Sequence, residues 1–169
     1  MTRAIFAILC VSLGPTISGR AQTPARQTER KGAAVDTHAS GTFEVKTQPL
    51  PADEKVEGVT VGRVSIDKQF HGDIEGTSKG EMMTAGTAVP GSAGYVAVER
   101  ITGKLKGRTG SFTLLHLATM RRGGDFNMTL TVVPDSGTDQ LAGLTGRMKI
   151  IIEGGKHSYE FDYTLPEAP

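Results

Sequence analysis

From Thr37 to Leu165 apolar and polar residues alternate with a period of two, the pattern of strands that bury one face. The clearest unit runs from Glu99 to His116 and reads as two strands hinged at Lys106-Gly107. Glycine at that hinge supplies the positive φ of a tight two-residue turn, and such a turn fixes the register. Leu105 then faces Arg108, Ile101 faces Phe112, Glu99 faces Leu114 and Ala97 faces His116. One side of the hairpin carries Tyr95, Ala97, Glu99, Ile101, Phe112, Leu114, His116 and Ala118. The other carries Val96, Val98, Arg100, Leu115 and Leu117 among threonines and Ser111.

The same alternation predicts a first strand over His38–Lys46 and a loop over Gln48–Lys55, whose prolines do not suit a central strand. A second strand spans Val59–Phe70, with Val64, Ile66 and Phe70 on one face. A turn at Gly72-Asp73 or at Gly76 leads into a third strand ending near Ala85, and Val89–Gly94 forms the next loop. The central hairpin gives strands four and five. Arg121–Gly124 turns into strand six at Phe126–Val132, and Pro134–Asp139 is a loop. Met148, Ile150 and Ile152 mark strand seven, and Gly154-Gly155 turns into strand eight with Tyr159, Phe161, Tyr163 and Leu165. No window beyond the first residues shows a helical stripe. Eight strands with short connections leave two sheet edges unless the sheet closes, so the pattern predicts an all-β fold: a single antiparallel up-and-down barrel of about eight strands, with a sandwich as the alternative.

Composition agrees with many short strands: the chain has 22 glycines and no tryptophan. Its 19 Lys+Arg and 18 Asp+Glu are interspersed and leave a net charge of +1, which excludes the concentrated basic stripe of a nucleic-acid surface. Residues 1–21 have the parts of a secretory leader: Arg3, an apolar run from Ala4 to Leu13, and Gly19 and Ala21 before a cut after Ala21. The run is too short to cross a bilayer and is broken by Gly14-Pro15, so no membrane anchor is expected after cleavage. Residues 22–36 read as a disordered spacer and residues 37–166 as the barrel domain. Cys10, the single cysteine, falls in the leader, which leaves a mature chain without thiols and suits the periplasm or the cell exterior.

The candidate chemistry lies on the aromatic side of the hairpin, where Glu99 and His116 are diagonal neighbours within reach of one another. Pointing into a barrel, they form either a proton-transfer pair or a polar pair that satisfies itself in the core. Tyr95, Glu99, Phe112 and His116 are the candidate ligand-binding residues, with Glu99 and His116 the catalytic candidates. His38, His71, His116 and His157 show no metal-ligand spacing, so neither a metal nor a cofactor is expected. The glycines of Gly103–Gly110 feed a strand rather than a helix N-terminus and are hairpin glycines, not a phosphate loop. The apolar residues Val96, Val98, Leu115 and Leu117 on the outer side suggest a cover, either a homo-oligomer contact or the spacer folded back.

Several blocks in order, His38-Ala-Ser-Gly-Thr-Phe-Glu-Val, Phe70-His-Gly-Asp-Ile-Glu-Gly, Glu99-Arg-Ile-Thr-Gly, Gly107-Arg-Thr-Gly-Ser-Phe, Val132-Val-Pro-Asp-Ser-Gly-Thr and Leu141-Ala-Gly-Leu-Thr-Gly, resemble the bacterial DUF3224 family across Thr37–Leu165. The resemblance implies a barrel similar to that of plant allene oxide cyclase, of allene-oxide-cyclase/lipocalin-like architecture, and brings no catalytic residues with it. Three functions follow as expectations: a lumen that binds a small apolar ligand, a cyclase- or isomerase-type enzyme using Glu99 and His116, or a filled barrel acting through oligomer or partner contacts.

Overall fold

A computed structural model describes residues 34–51, 55–56 and 58–166. The leader assigned to residues 1–21, and the spacer up to residue 33, lie outside the described residues. The elements are β1 (Ala34–Leu50), the two-residue β2 (Lys55–Val56), β3 (Val59–Gly72), β4 (Ile74–Thr87), β5 (Ala93–Leu105), β6 (Arg108–Met120), β7 (Phe126–Val132), β8 (Thr145–Glu153) and β9 (Lys156–Pro166). A single 3-10 turn, Asp139–Leu141, interrupts the connection from β7 to β8. Every neighbouring pair from β3 through β9 is antiparallel.

Closure depends on β1, which serves two neighbours in succession. Its first half, Ala34 to Phe43, pairs with β9, and its second, Gly41 to Leu50, pairs with β3. The result is a closed eight-stranded barrel, to which β2 adds a short ribbon on β3. The sandwich alternative is thereby removed. β1 begins at Ala34, inside the residues assigned to the spacer, and continues to Leu50 through Gln48 and Pro49, where the sequence predicted a loop. Beyond Phe43 the strand is paired on one side only, so a residue without an N–H can sit there. Of the two turns offered after β3, the chain uses Gly72-Asp73, and Gly76 lies within β4.

The hairpin register is as the turn dictates: Ala97 opposite His116, Glu99 opposite Leu114, Ile101 opposite Phe112 and Leu105 opposite Arg108. Lys106 and Gly107 both take positive φ, 46° and 83°, the two-residue turn that matches strand twist. The other faces of β4 to β6 leave Met83, Val96, Val98, Leu115 and Leu117 exposed on the barrel's exterior.

The two ends of the lumen are built differently. At the end that holds the β5–β6 turn, Phe70, Ile74, Ile101, Leu105, Phe112 and Phe161 are buried against one another. The connection after β7 closes that end with Leu141 and Leu144. It lies against β6 through Thr138 N–H to Ser111 O at 2.9 Å and Val133 N–H to Thr113 O at 2.9 Å. Gly110 permits this approach, since a Cβ there would meet Thr138 O at 2.4 Å. Tyr159 packs edge-on to Phe70 and its hydroxyl accepts the Ile74 N–H at 2.7 Å, so its polar tip is satisfied. The opposite end stays open.

Candidate functional site

The open end of the barrel holds a cavity of about 230 Å³. Apolar side chains from around the barrel line it, among them Phe43, Ile66, Met82, Met128, Ile150 and Ile152. The polar residues reaching it are Thr47, Lys68, Tyr95, His116 and His157. This is the make-up of a small-molecule pocket: mostly apolar walls with a few placed polar groups. Three methionines, Met82, Met120 and Met128, give those walls adaptable shape. At the mouth Phe126 and Ile152 are exposed, so the apolar lining continues to the rim.

Beneath the cavity lies a buried polar cluster centred on Glu99, which is fully inaccessible to solvent. The Lys68 ammonium donates to Glu99 Oε2 at 2.8 Å, and the Ser78 hydroxyl donates to Oε1. His116 Nε2 stands 2.9 Å from Oε2. Lys68 and Ser78 supply the aligned hydrogen bonds, and the His116 ring nitrogen completes the enclosure of the carboxylate. Burial pushes the Glu99 carboxyl upward, but His116, Lys68 and Ser78 together outweigh it and hold the acid down at about 2. Glu99 is therefore an anion at any ordinary pH. Lys68 also sits over the Phe43 ring at 4.7 Å and the Phe70 ring at 5.7 Å, so aromatic faces cover the cation where the carboxylate does not.

The fold makes room for this carboxylate by leaving out a side chain. Glu99 on β5 lies opposite Gly80 on β4, where a Cβ would come within 2.9 Å of Glu99 Cα. Above it, the small Ala97 lies opposite both Met82 and His116. Tyr95, near the start of β5, is half-buried, and its hydroxyl donates to Met128 Sδ at 3.2 Å. Burial, and after it the charge of Glu99, push the phenol's pKa upward, so Tyr95 stays a protonated donor.

The four residues singled out from the sequence are placed as follows. Tyr95 and His116 line the cavity, and Glu99 lies in contact with His116 but sealed from solvent. Phe112 belongs to the packed end, stacked on Phe161 at 5.6 Å. Lys68 and Ser78 were missed. For Lys68 a signal existed: it shares the parity of Ile66 and Phe70, which turns a lysine into the barrel. Ser78, between two glycines in alternation, gave none. The remaining histidines are scattered, His38 against Asp162 at 2.7 Å and His71 against Glu44 at 2.8 Å on the surface, and His157 beside the Phe43 ring at 5.2 Å. Among the described residues no three groups gather as metal ligands.

The fold and this half-filled lumen define the class: a closed antiparallel up-and-down β-barrel with an apolar cavity at one end over a buried Lys-Glu-His-Ser cluster. The model of the protein family of unknown function DUF3224 matches residues 39–163, and the chain belongs to that family. A solved structure of a DUF3224 protein of unknown function from Shewanella oneidensis MR-1 is similar to it, at 48% identity and a TM-score of 0.73, covering 80% of this chain and all (100%) of that one. No match was found among curated proteins.

Proposed function

We propose that the barrel is a binding module that holds a small, mainly apolar molecule in the open end of its lumen. The observation that carries this reading is the cavity of about 230 Å³, with its apolar walls and with Tyr95, Lys68 and His116 as inner polar groups. An engineered apolar cavity of roughly 150 Å³ holds benzene, so by proportion this one has room for about nine or ten non-hydrogen atoms. Reading the first 21 residues as a cleaved leader makes the module periplasmic or secreted. The test is a thermal-shift and calorimetric titration with apolar molecules of about six to ten non-hydrogen atoms, run beside Ile150→Trp, whose indole would fill the cavity. Binding to the wild-type chain and loss of it in a folded Ile150→Trp variant support the reading. Affinity that survives the filled cavity moves the site elsewhere.

A second reading rests on one contact, the 2.9 Å approach of Glu99 Oε2 to His116 Nε2 in a ring that also borders the cavity. A carboxylate held behind an imidazole is the arrangement that lets histidine move a proton on a bound molecule, as a cyclase or isomerase requires. Turnover of a bound compound that disappears in Glu99→Gln, with binding retained, would favour this reading over simple binding.

A further inference from the structure

The polar groups at the inner end of the cavity are not balanced between donors and acceptors. The acceptor of the cluster, Glu99, is sealed from solvent and already engaged by Lys68 and Ser78. Of the groups that reach the cavity beside it, Lys68 is a donor only, and Tyr95 presents its hydroxyl as a donor. Lysine has three N–H bonds and no acceptor, and Lys68 uses one of them on Glu99 while the ammonium lies over the Phe43 and Phe70 rings. Tyr95 spends its O–H on the thioether of Met128, a weak acceptor that an oxygen ligand would readily replace. His116 takes either role by tautomer.

Charge narrows the choice further. Lys68 and Glu99 are oppositely charged and in contact, so they cancel. A second anion entering beside them would be desolvated with no cation left to balance it, which is costly in a low-dielectric site. A neutral carbonyl oxygen takes the same donors without that cost. A hydroxyl would also accept from Tyr95, but its own O–H would exchange water for a weak acceptor such as the Met128 thioether.

The geometry points to an uncharged ligand: an apolar ketone, aldehyde or ester of about nine or ten non-hydrogen atoms, whose carbonyl accepts from Tyr95 in place of Met128, with Lys68 the adjacent donor. This specificity rests on the binding reading above and adds the chemical class of the ligand. Tyr95 is the specificity-determining residue.

The test is calorimetric titration of the full chain with a matched series: octan-2-one, octan-2-ol, octanoate and nonane. The expected result is that octan-2-one binds about tenfold or more tightly than the other three, one hydrogen bond's worth of discrimination. In Tyr95→Phe, which removes one oxygen and keeps the ring, that advantage over nonane should shrink to near none while nonane binds as before. Octanoate binding tightest would overturn the assignment in favour of an anion site. Equal binding of nonane and octan-2-one would overturn it while leaving the apolar-cavity reading standing. Failure of all four to bind, with the protein folded, would count against both.

Discussion

Glu99 is the residue on which the interior of this barrel turns. A carboxylate with no solvent access is tolerated only because Lys68, Ser78 and His116 surround it. Removing its charge leaves the Lys68 ammonium buried without a counter-charge, and breaking such a pair costs about 3 kcal/mol or more. Glu99→Gln should therefore lower the urea midpoint at neutral pH. The direction of the pH effect follows from the carboxyl being held at about 2, below its ordinary 4.5. A depressed acid contributes stability that is complete above the ordinary value and is lost as the pH falls toward the folded one. The wild-type chain should lose stability between about pH 4.5 and 2 more steeply than Glu99→Gln, as measured by urea melts across that range. Parallel acid curves for the two proteins would show that the carboxylate is not held as described. The contact of Glu99 with His116 was legible in the sequence, because a two-residue turn and strand alternation fix which side chains are diagonal. Its other partners lie on β3 and β4, and the hairpin register carries no information about how β4 aligns with β5.

At the scale of elements, the strands and most turns could be read from alternation and from glycine and proline, while the behaviour of β1 could not. A strand that changes partners halfway along is a property of closure, which depends on the stagger of the whole sheet rather than on any local run. The prolines after Gln48 argued for a loop, and that inference fails at Pro49 because β1 is paired there on one side only. The seam between β4 and β5 makes a sharper prediction. At Gly80 a Cβ would lie 2.5 Å from Val98 O and 2.9 Å from Glu99 Cα, with backbone on both counts. Gly80→Ala must push the strands apart just where the carboxylate is seated, at a cost of about 1–3 kcal/mol. Gly107→Ala loses only the turn conformation, φ 83°, with nothing within 4 Å of the added Cβ, and should cost less, on the order of 1 kcal/mol. Chemical denaturation of the two variants side by side checks the order; a Gly80→Ala protein as stable as the wild type would contradict the packing described for the seam.

For the whole molecule, the division of the lumen is the feature from which function follows. Closure of eight strands leaves an interior that side chains can fill, and here they fill one end, with Phe112, Phe161 and the inserted Leu141 and Leu144. The other end carries smaller and more flexible groups, Val45, Met82, Ala97 and Met128, and remains open. That asymmetry was not legible from alternation, which says which residues face inward but not whether their volumes meet across the barrel. It explains why Tyr95 and His116 reach the cavity while Phe112, on the same face of the same hairpin, does not. What the protein carries in that open end decides its function. Native mass spectrometry of the protein taken from the cells that make it, followed by extraction and identification of what it carries, measures them. A recurrent small apolar molecule, released by Ile150→Trp, is the predicted result. A protein that emerges empty, and whose melting temperature no apolar compound of fitting size moves, would contradict the claim that this lumen holds a ligand.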